Sequence, residues 1–253
     1  SGNDTLNNSG TINIDNVNYY SAINMASGDD TINNSGTINI GVCNHGIKFA
    51  SDVTGDVNTV NNSGTINIDY AGCHGFNFGS DDCKDTINNS GEINIDYAGK
   101  HGIRMASGDD TIINSGAINI GTAGCHGITL GGGSGTLDNS GTITIDSVGC
   151  AGISSYDDND TLTNSGTITI KQGCMGIKLC SGDDILNNSG TIDIGNMEWF
   201  GINMASGNDQ IINSGTINIE SAYHGFKYYS DNDSTVTTTT NSGTINIGYA
   251  CYH

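Results

Sequence analysis

The chain has 253 residues, 27 acidic side chains against 7 basic ones, a net charge of −20, 38 glycines and no proline. An acidic excess of this size excludes a nucleic-acid binder, because phosphate recognition needs a basic face. No stretch approaches the roughly 18 apolar residues of a membrane span, so no membrane insertion is expected, and the eight cysteines permit disulfides without requiring them.

The tripeptide Asn-Ser-Gly occurs ten times, ending at Gly10, Gly36, Gly64, Gly91, Gly116, Gly141, Gly166, Gly190, Gly215 and Gly243, at intervals of 24 to 28 residues. A fixed period in this range marks a solenoid or propeller, and units of about 25 residues are too short for a four-stranded propeller blade. The expected fold is all-β: a parallel β-helix (β-solenoid) of about ten coils, three short strands per coil, with a triangular cross-section. It forms a single domain over 1–253. The coils fall at approximately 1–26, 27–50, 51–79, 80–106, 107–131, 132–155, 156–180, 181–205, 206–229 and 230–253. Parallel stacking at about 4.8 Å per coil gives a rod of roughly 48 Å.

Each unit opens on an acidic turn. Asn3-Asp4, Asp29-Asp30, Asp81-Asp82, Asp109-Asp110, Asp157-Asp158, Asp183-Asp184, Asn208-Asp209 and Asp231/Asp233 are read as equivalent corners. Oxygen ligands of this type suit Ca²⁺, so Asp4, Asp29, Asp30, Asp109, Asp110, Asp183, Asp184 and Asp209 are calcium candidates. The competing reading is a solvated acidic edge that discourages lateral aggregation. Next comes a strand carrying Leu6, Ile32, Val60, Ile87 and their equivalents. The Asn-Ser-Gly turn follows, with Asn tolerating left-handed backbone and Gly expected to supply positive φ. Its asparagines (Asn8, Asn34, Asn62, Asn89, Asn114, Asn139, Asn164, Asn188, Asn213 and Asn241) are structural, stacking as a hydrogen-bonded ladder.

The third segment of the unit is Thr-Ile-Asn-Ile, from Thr11 to Ile14 through Thr244 to Ile247, and its two apolar positions are Ile in all ten copies. The alternation is that of a half-buried strand. Helix is excluded by the β-branched residues and by the absence of a 3.6-residue period. At this point the Asn-Ser-Gly-Thr-Ile pattern resembles the repeats of bacterial autotransporter and filamentous-adhesin passenger domains, over all ten units. The resemblance implies β-solenoid architecture and an extracellular, bacterial cell-surface location. The Gly-Asp-Asp-Thr-Ile and Gly-Asn-Asp-Thr-Leu segments also resemble fragments of the calcium-binding repeat-in-toxin nonapeptide, though without its Gly-Gly-x-Gly and only once per unit.

A corner rich in Cys and His leads into the last strand. His45, His74, His101, His126 and His224 each precede a Gly, and His253 is read as their match in the final coil. Cys73, Cys125, Cys150 and Cys174 form the column before them, with Cys43 and Cys251 one place earlier. A row of thiols and imidazoles is a candidate site for a soft or borderline metal such as Zn or Cu. The alternatives are a stacked structural corner, or disulfides between coils, because about 4.8 Å between Cα atoms lies inside the disulfide window. The closing strand carries Ile23/Met25, Ile47/Phe49, Phe76/Phe78 and Ile103/Met105 inward. Its outward column holds Lys48, Arg104, Lys178 and Lys227, four of the seven bases, and is a candidate contact face. Trp199-Phe200 with Tyr223, and Tyr228-Tyr229, form an aromatic cluster suited to a glycan, a partner or a corner cap.

Near-perfect repetition is a poor host for a unique catalytic site, so no enzyme activity is expected. No cofactor is required, and calcium is a candidate one. The chain starts in phase and stops one strand short of a full coil, with no evident cap, so the expected function is an extracellular structural solenoid. It would be a fibre subunit or segment that stacks end to end with copies of itself. The alternative is the repetitive stalk of a bacterial surface adhesin facing a host or neighbouring-cell ligand. A calcium- or transition-metal-binding solenoid is a minor alternative. So is an ice-binding face, suggested by Thr142, Thr144, Thr167 and Thr169.

Overall fold

The computed structural model describes residues 2–50, 55–79, 82–228 and 236–252. Asp81, Tyr229, Asp231, Asp233 and His253, named above, lie outside the described residues. The described residues form strands and turns with no helix, and every strand pairing is parallel. The chain is a β-solenoid.

One sheet has ten strands, from Thr5–Asn8 and Thr31–Asn34 through to Thr238–Asn241, each paired with the equivalent strand of the next coil. Ten strands make nine coil-to-coil steps, so the stack has about nine turns. The register never slips: Leu6 faces Ile32, Ile32 faces Val60, and Ile112 faces Leu137. The second sheet holds both the Thr-Ile-Asn-Ile segment and the closing strand. The sequence reading separated these two by a corner. In five coils they run on as one strand, such as Thr37–Phe49, Thr167–Ser181 and Thr191–Ser206. The corner between them survives as a shift of register, for instance between Cys43 and His45.

Between the terminal coils the inward columns are buried. Ile38, Ile66, Ile93 and Ile118 form one column, Ile40, Ile68, Ile95 and Ile120 another, and Ile47, Phe76, Ile103 and Ile128 a third. Burial of this kind stabilises by roughly 1.5–3 kcal/mol per large side chain, which explains why these columns vary least. Phe49 stacks on Phe78 at 4.7 Å, filling the same interior place in consecutive coils.

The Asn-Ser-Gly turn is structural for a reason other than the one expected. None of its ten glycines has positive φ; the left-handed glycines are at other turns, among them Gly28, Gly108, Gly182 and Gly207 in the acidic corner. The Asn-Ser-Gly glycine is demanded by stacking. A Cβ on Gly116 would lie 2.1 Å from the carbonyl oxygen of Gly91, and the same clash repeats at Gly36, Gly64 and Gly166. The asparagine before it is buried and forms the expected ladder. Asn34 Nδ2 donates to Asn62 Oδ1 at 2.8 Å and Asn114 Nδ2 to Asn139 Oδ1 at 2.7 Å, and the chain of bonds runs unbroken from Asn8 to Asn241. Each Nδ2 also donates to the carbonyl of its own turn's Gly and, from Asn8 to Asn213, to a carbonyl of the next coil, as Asn114 does to Gly116 and Thr142. Buried amides are thereby saturated.

Candidate functional site

The acidic turn divides into two columns with opposite environments. Asp29, Asp109 and Asp183 are exposed. Each accepts a backbone N–H from the next coil: Val57 at 2.9 Å, Ser134 at 3.1 Å and Asn208 at 2.8 Å. Asp30, Asp110, Asp184 and Asp209 point inward and are fully buried. Their Oδ1 atoms receive the N–H of the preceding coil, as Asp184 does from Asp160 at 2.8 Å and Asp110 from Asp85 at 2.8 Å. Asp4 stands at the exposed start of this column and donates its own N–H to Asp30. A single solvated edge is therefore corrected to an outer solvated column and an inner dry one.

The register of the inner column also differs from expectation. Asp85 and Asp160 belong to it, not Asp82 and Asp157-Asp158, because Thr86 pairs with Thr111 and Thr161 with Ile185. The signal was present in the sequence: the inner position lies six residues before every Asn-Ser-Gly glycine. Asn58, Gly135 and Thr237 fill the remaining copies. Burial raises the carboxyl pKa of Asp110 to about 8, of Asp184 to about 7 and of Asp160 to about 6, and lifts Asp30 and Asp209 in the same direction. The Oδ2 atoms of Asp30, Asp110 and Asp184 have no hydrogen-bond partner, which fits protonated carboxyls better than calcium ligands. Among the described residues no three carboxylates converge on one point. The calcium candidates are thus not brought together.

The Cys/His corner is a stack of rings. His45, His74, His101 and His126 lie face to face at 5.2, 5.0 and 5.2 Å, and the stack ends edge-on against Tyr156. Burial depresses all four imidazoles, that of His74 to about 3 and that of His101 to about 4. The rings are therefore neutral near pH 7. His224 is separate, stacked on Phe200 at 5.7 Å and edge-on to Tyr223 at 4.9 Å. In the last coil Tyr252, not His253, pairs with His224, so Cys251 stands in the Cys73 column. Cys43 instead pairs with Ala71 and is buried in the core.

All eight cysteines are thiols. Cys125 donates to Cys150 across one coil step, with Sγ atoms 3.4 Å apart. Burial, then the neighbouring Cys150, raises the Cys125 thiol pKa to about 11. Cys174 turns to the Gly149 carbonyl at 3.0 Å and to Glu198 at 3.5 Å. Among the described residues one group of three metal-ligating side chains converges: His101, Cys125 and His126, with ligand atoms within 4.8 Å of one another. Cys73, Cys150 and Cys174 do not join it.

The basic column is in register, Lys48 beside Asn77 and Arg104 beside Thr129, but it is not an open face. Asn77, Thr129, Ser154 and Asn203 in the same column are buried, and Lys48, Arg104, Lys178 and Lys227 are half-buried. Arg104 Nη1 is committed to Asn77, Phe78 and Gly79 at 3.0–3.2 Å. Arg104 therefore closes its own corner and is not presented to a partner. Further along the same corner Trp199 is 58% exposed and lines a cavity of about 470 Å³ with Glu198, Phe200, Tyr223, His224 and Lys227.

Comparison of this chain with protein-family models, with curated proteins and with solved structures finds no match in any of the three.

Proposed function

We propose that this chain is a structural rod: a fibre subunit or segment of a bacterial surface filament, built by continuation of its coils end to end. The observation that carries the reading is the uninterrupted register of the ten-stranded sheet. There every coil repeats the same four-residue pairing and the same Asn–Asn bond to its neighbour. A further coil, from the same chain or from another copy, would meet the contact already made nine times. Open parallel edges of this kind template further pairing, and heterologous head-to-tail contacts that do not close generate filaments. The net charge of −20 opposes lateral clumping while leaving axial stacking intact. The extracellular location rests on this acidity and on the Asn-Ser-Gly-Thr-Ile resemblance.

Negative-stain imaging of the purified chain tests the reading. Fibres of uniform width that lengthen with protein concentration are expected, and short discrete rods at every concentration sink it. The second reading, an adhesin stalk, draws on the exposed Trp199 and Tyr223 beside Glu198 and Lys227, an aromatic surface of the kind that stacks on sugar rings. A glycan-array signal lost in Trp199→Ala would favour it.

A further inference from the structure

Parallel stacking places the corner residues of adjacent coils one strand spacing apart, so ligands too sparse within one coil can be assembled across several. This happens once among the described residues. Cys125 and His126 are neighbours in sequence on one corner. His101 lies one coil back, its ring 5.2 Å from that of His126 and tilted by 6°. Cys150 lies one coil forward, its Sγ 3.4 Å from that of Cys125. We propose that His101, Cys125 and His126, with Cys150 as fourth ligand, form a binding site for one thiophilic d10 ion, Zn²⁺ or Cu⁺.

The donor set decides the class of ion. Thiolate and imidazole together select Zn²⁺ or Cu⁺ and disfavour Ca²⁺ and Mg²⁺, which take oxygen. The geometry is close to what such an ion requires. Bonds of about 2.0–2.1 Å to nitrogen and 2.3 Å to sulfur place tetrahedral ligands roughly 3.3–3.8 Å apart. The two sulfurs, 3.4 Å apart, need to open by about 0.4 Å, and the three-residue group, within 4.8 Å, needs to close by up to about 1.5 Å. Cys150 touches Cys125 but lies outside that group, so it turns toward the imidazoles to complete the site.

The donors are weakly committed: Cys125 holds only the thiol contact to Cys150, and His126 one long hydrogen bond. His101 Nδ1 is buried with no hydrogen-bond partner. Coordination of His126 through either nitrogen costs the 3.3 Å bond that its Nδ1 accepts from the Ala151 amide, since the other tautomer would point a hydrogen at that donor. That bond is long and is the one the imidazole ligands give up. On binding, Cys125 and Cys150 each release a thiol proton to the buffer, and the two thiolates take the ion. The site is specific to this place in the stack. His45, Cys73 and His74 repeat the sequence arrangement but do not converge, and Lys100 stands in the next coil where a second thiol would be needed.

The full chain, reduced, stripped with chelator and handled anaerobically, is titrated with Zn²⁺ against a chromophoric chelator, with Cu⁺ against bicinchoninate, and with Co²⁺ as an optical probe. About one equivalent is expected for Zn²⁺ or Cu⁺, and Co²⁺ should give a thiolate-to-metal charge-transfer band with tetrahedral d–d bands. Cys125→Ser should remove that band. His101→Gln should weaken binding by roughly tenfold or more, keeping the test valid if the cysteine variant misfolds. Cys174→Ser and His224→Gln should bind as the parent does, and circular dichroism checks that each variant keeps its β-signal. Failure of the parent chain to hold any of the three ions against its competitor overturns the proposal. So does binding in folded Cys125→Ser equal to the parent, or an equal loss in Cys174→Ser.

Discussion

Replacing Asp184 by Asn should raise stability at alkaline pH and leave it nearly unchanged in acid. Asp184 is fully buried, its Oδ1 accepts the Asp160 N–H at 2.8 Å, and its Oδ2 has no partner. Removal from water, followed by the charges of Asp160, Asp209 and Asp183, lifts its pKa from 3.8 to about 7. Between those values the folded chain keeps a proton that the unfolded chain releases. The stabilisation is therefore complete below pH 3.8, declines as pH rises, and is gone above about 7. A shift of roughly 3 units is worth about 4 kcal/mol at 1.36 kcal/mol per unit, and less as Asp160 and Asp209 also take up protons. Asn cannot ionise, and the column already contains one. Asn58 Oδ1 accepts the Asp30 N–H at 3.3 Å, and Asn58 Nδ2 donates to Asp85 at 3.0 Å. In Asp184→Asn the amide would reach Asp209 in the same way. Thermal melts by circular dichroism at pH 4 and pH 8.5 should show a midpoint gain on the order of 10 °C at pH 8.5 and a change within about 2 °C at pH 4. An equal loss at both pH values would refute the account, because it would mean that Asp184 is held as a hydrogen-bonded anion.

Two further substitutions probe the stack itself. Asn114→Ala removes three bonds donated by Nδ2 and the one accepted from Asn89, breaking the ladder and leaving the buried Asn139 Oδ1 without its donor. It should cost about 3–5 kcal/mol in denaturant titrations, whereas Asn119→Ala, on a half-buried outer ladder, should cost about 1 kcal/mol. Gly116→Ala puts a methyl group against the Gly91 carbonyl and should lower the melting midpoint more than Gly132→Ala, where a Cβ meets nothing within 4 Å. Equal effects of those two would remove the stacking argument for the Asn-Ser-Gly glycine.

Much of the architecture is written in the repeat. The Ile pairs of Thr-Ile-Asn-Ile, the Leu6/Ile32/Val60 column and the Asn ladder could be placed from spacing alone, because identical residues one period apart have a single in-register way to stack. Side-chain environment was not legible in the same way. Asp29 and Asp30 are adjacent and chemically identical, yet one is in water and the other dry, since successive residues of an extended chain face opposite ways. A two-residue insertion before Asp85, and the Asp157-Asp158 doublet just ahead of Asp160, hid their place until strand pairing fixed it. The basic column reads as outward by alternation, but the corner folds over it. The His101, Cys125, His126 and Cys150 cluster has no spacing motif, because three consecutive coils contribute to it. The sequence by itself determined the coil, its period and its interior columns, through local alternation repeated ten times. Only the tertiary structure decided which acids are buried and which thiols and imidazoles meet, because both depend on how corners of unequal length close against the coils before and after them.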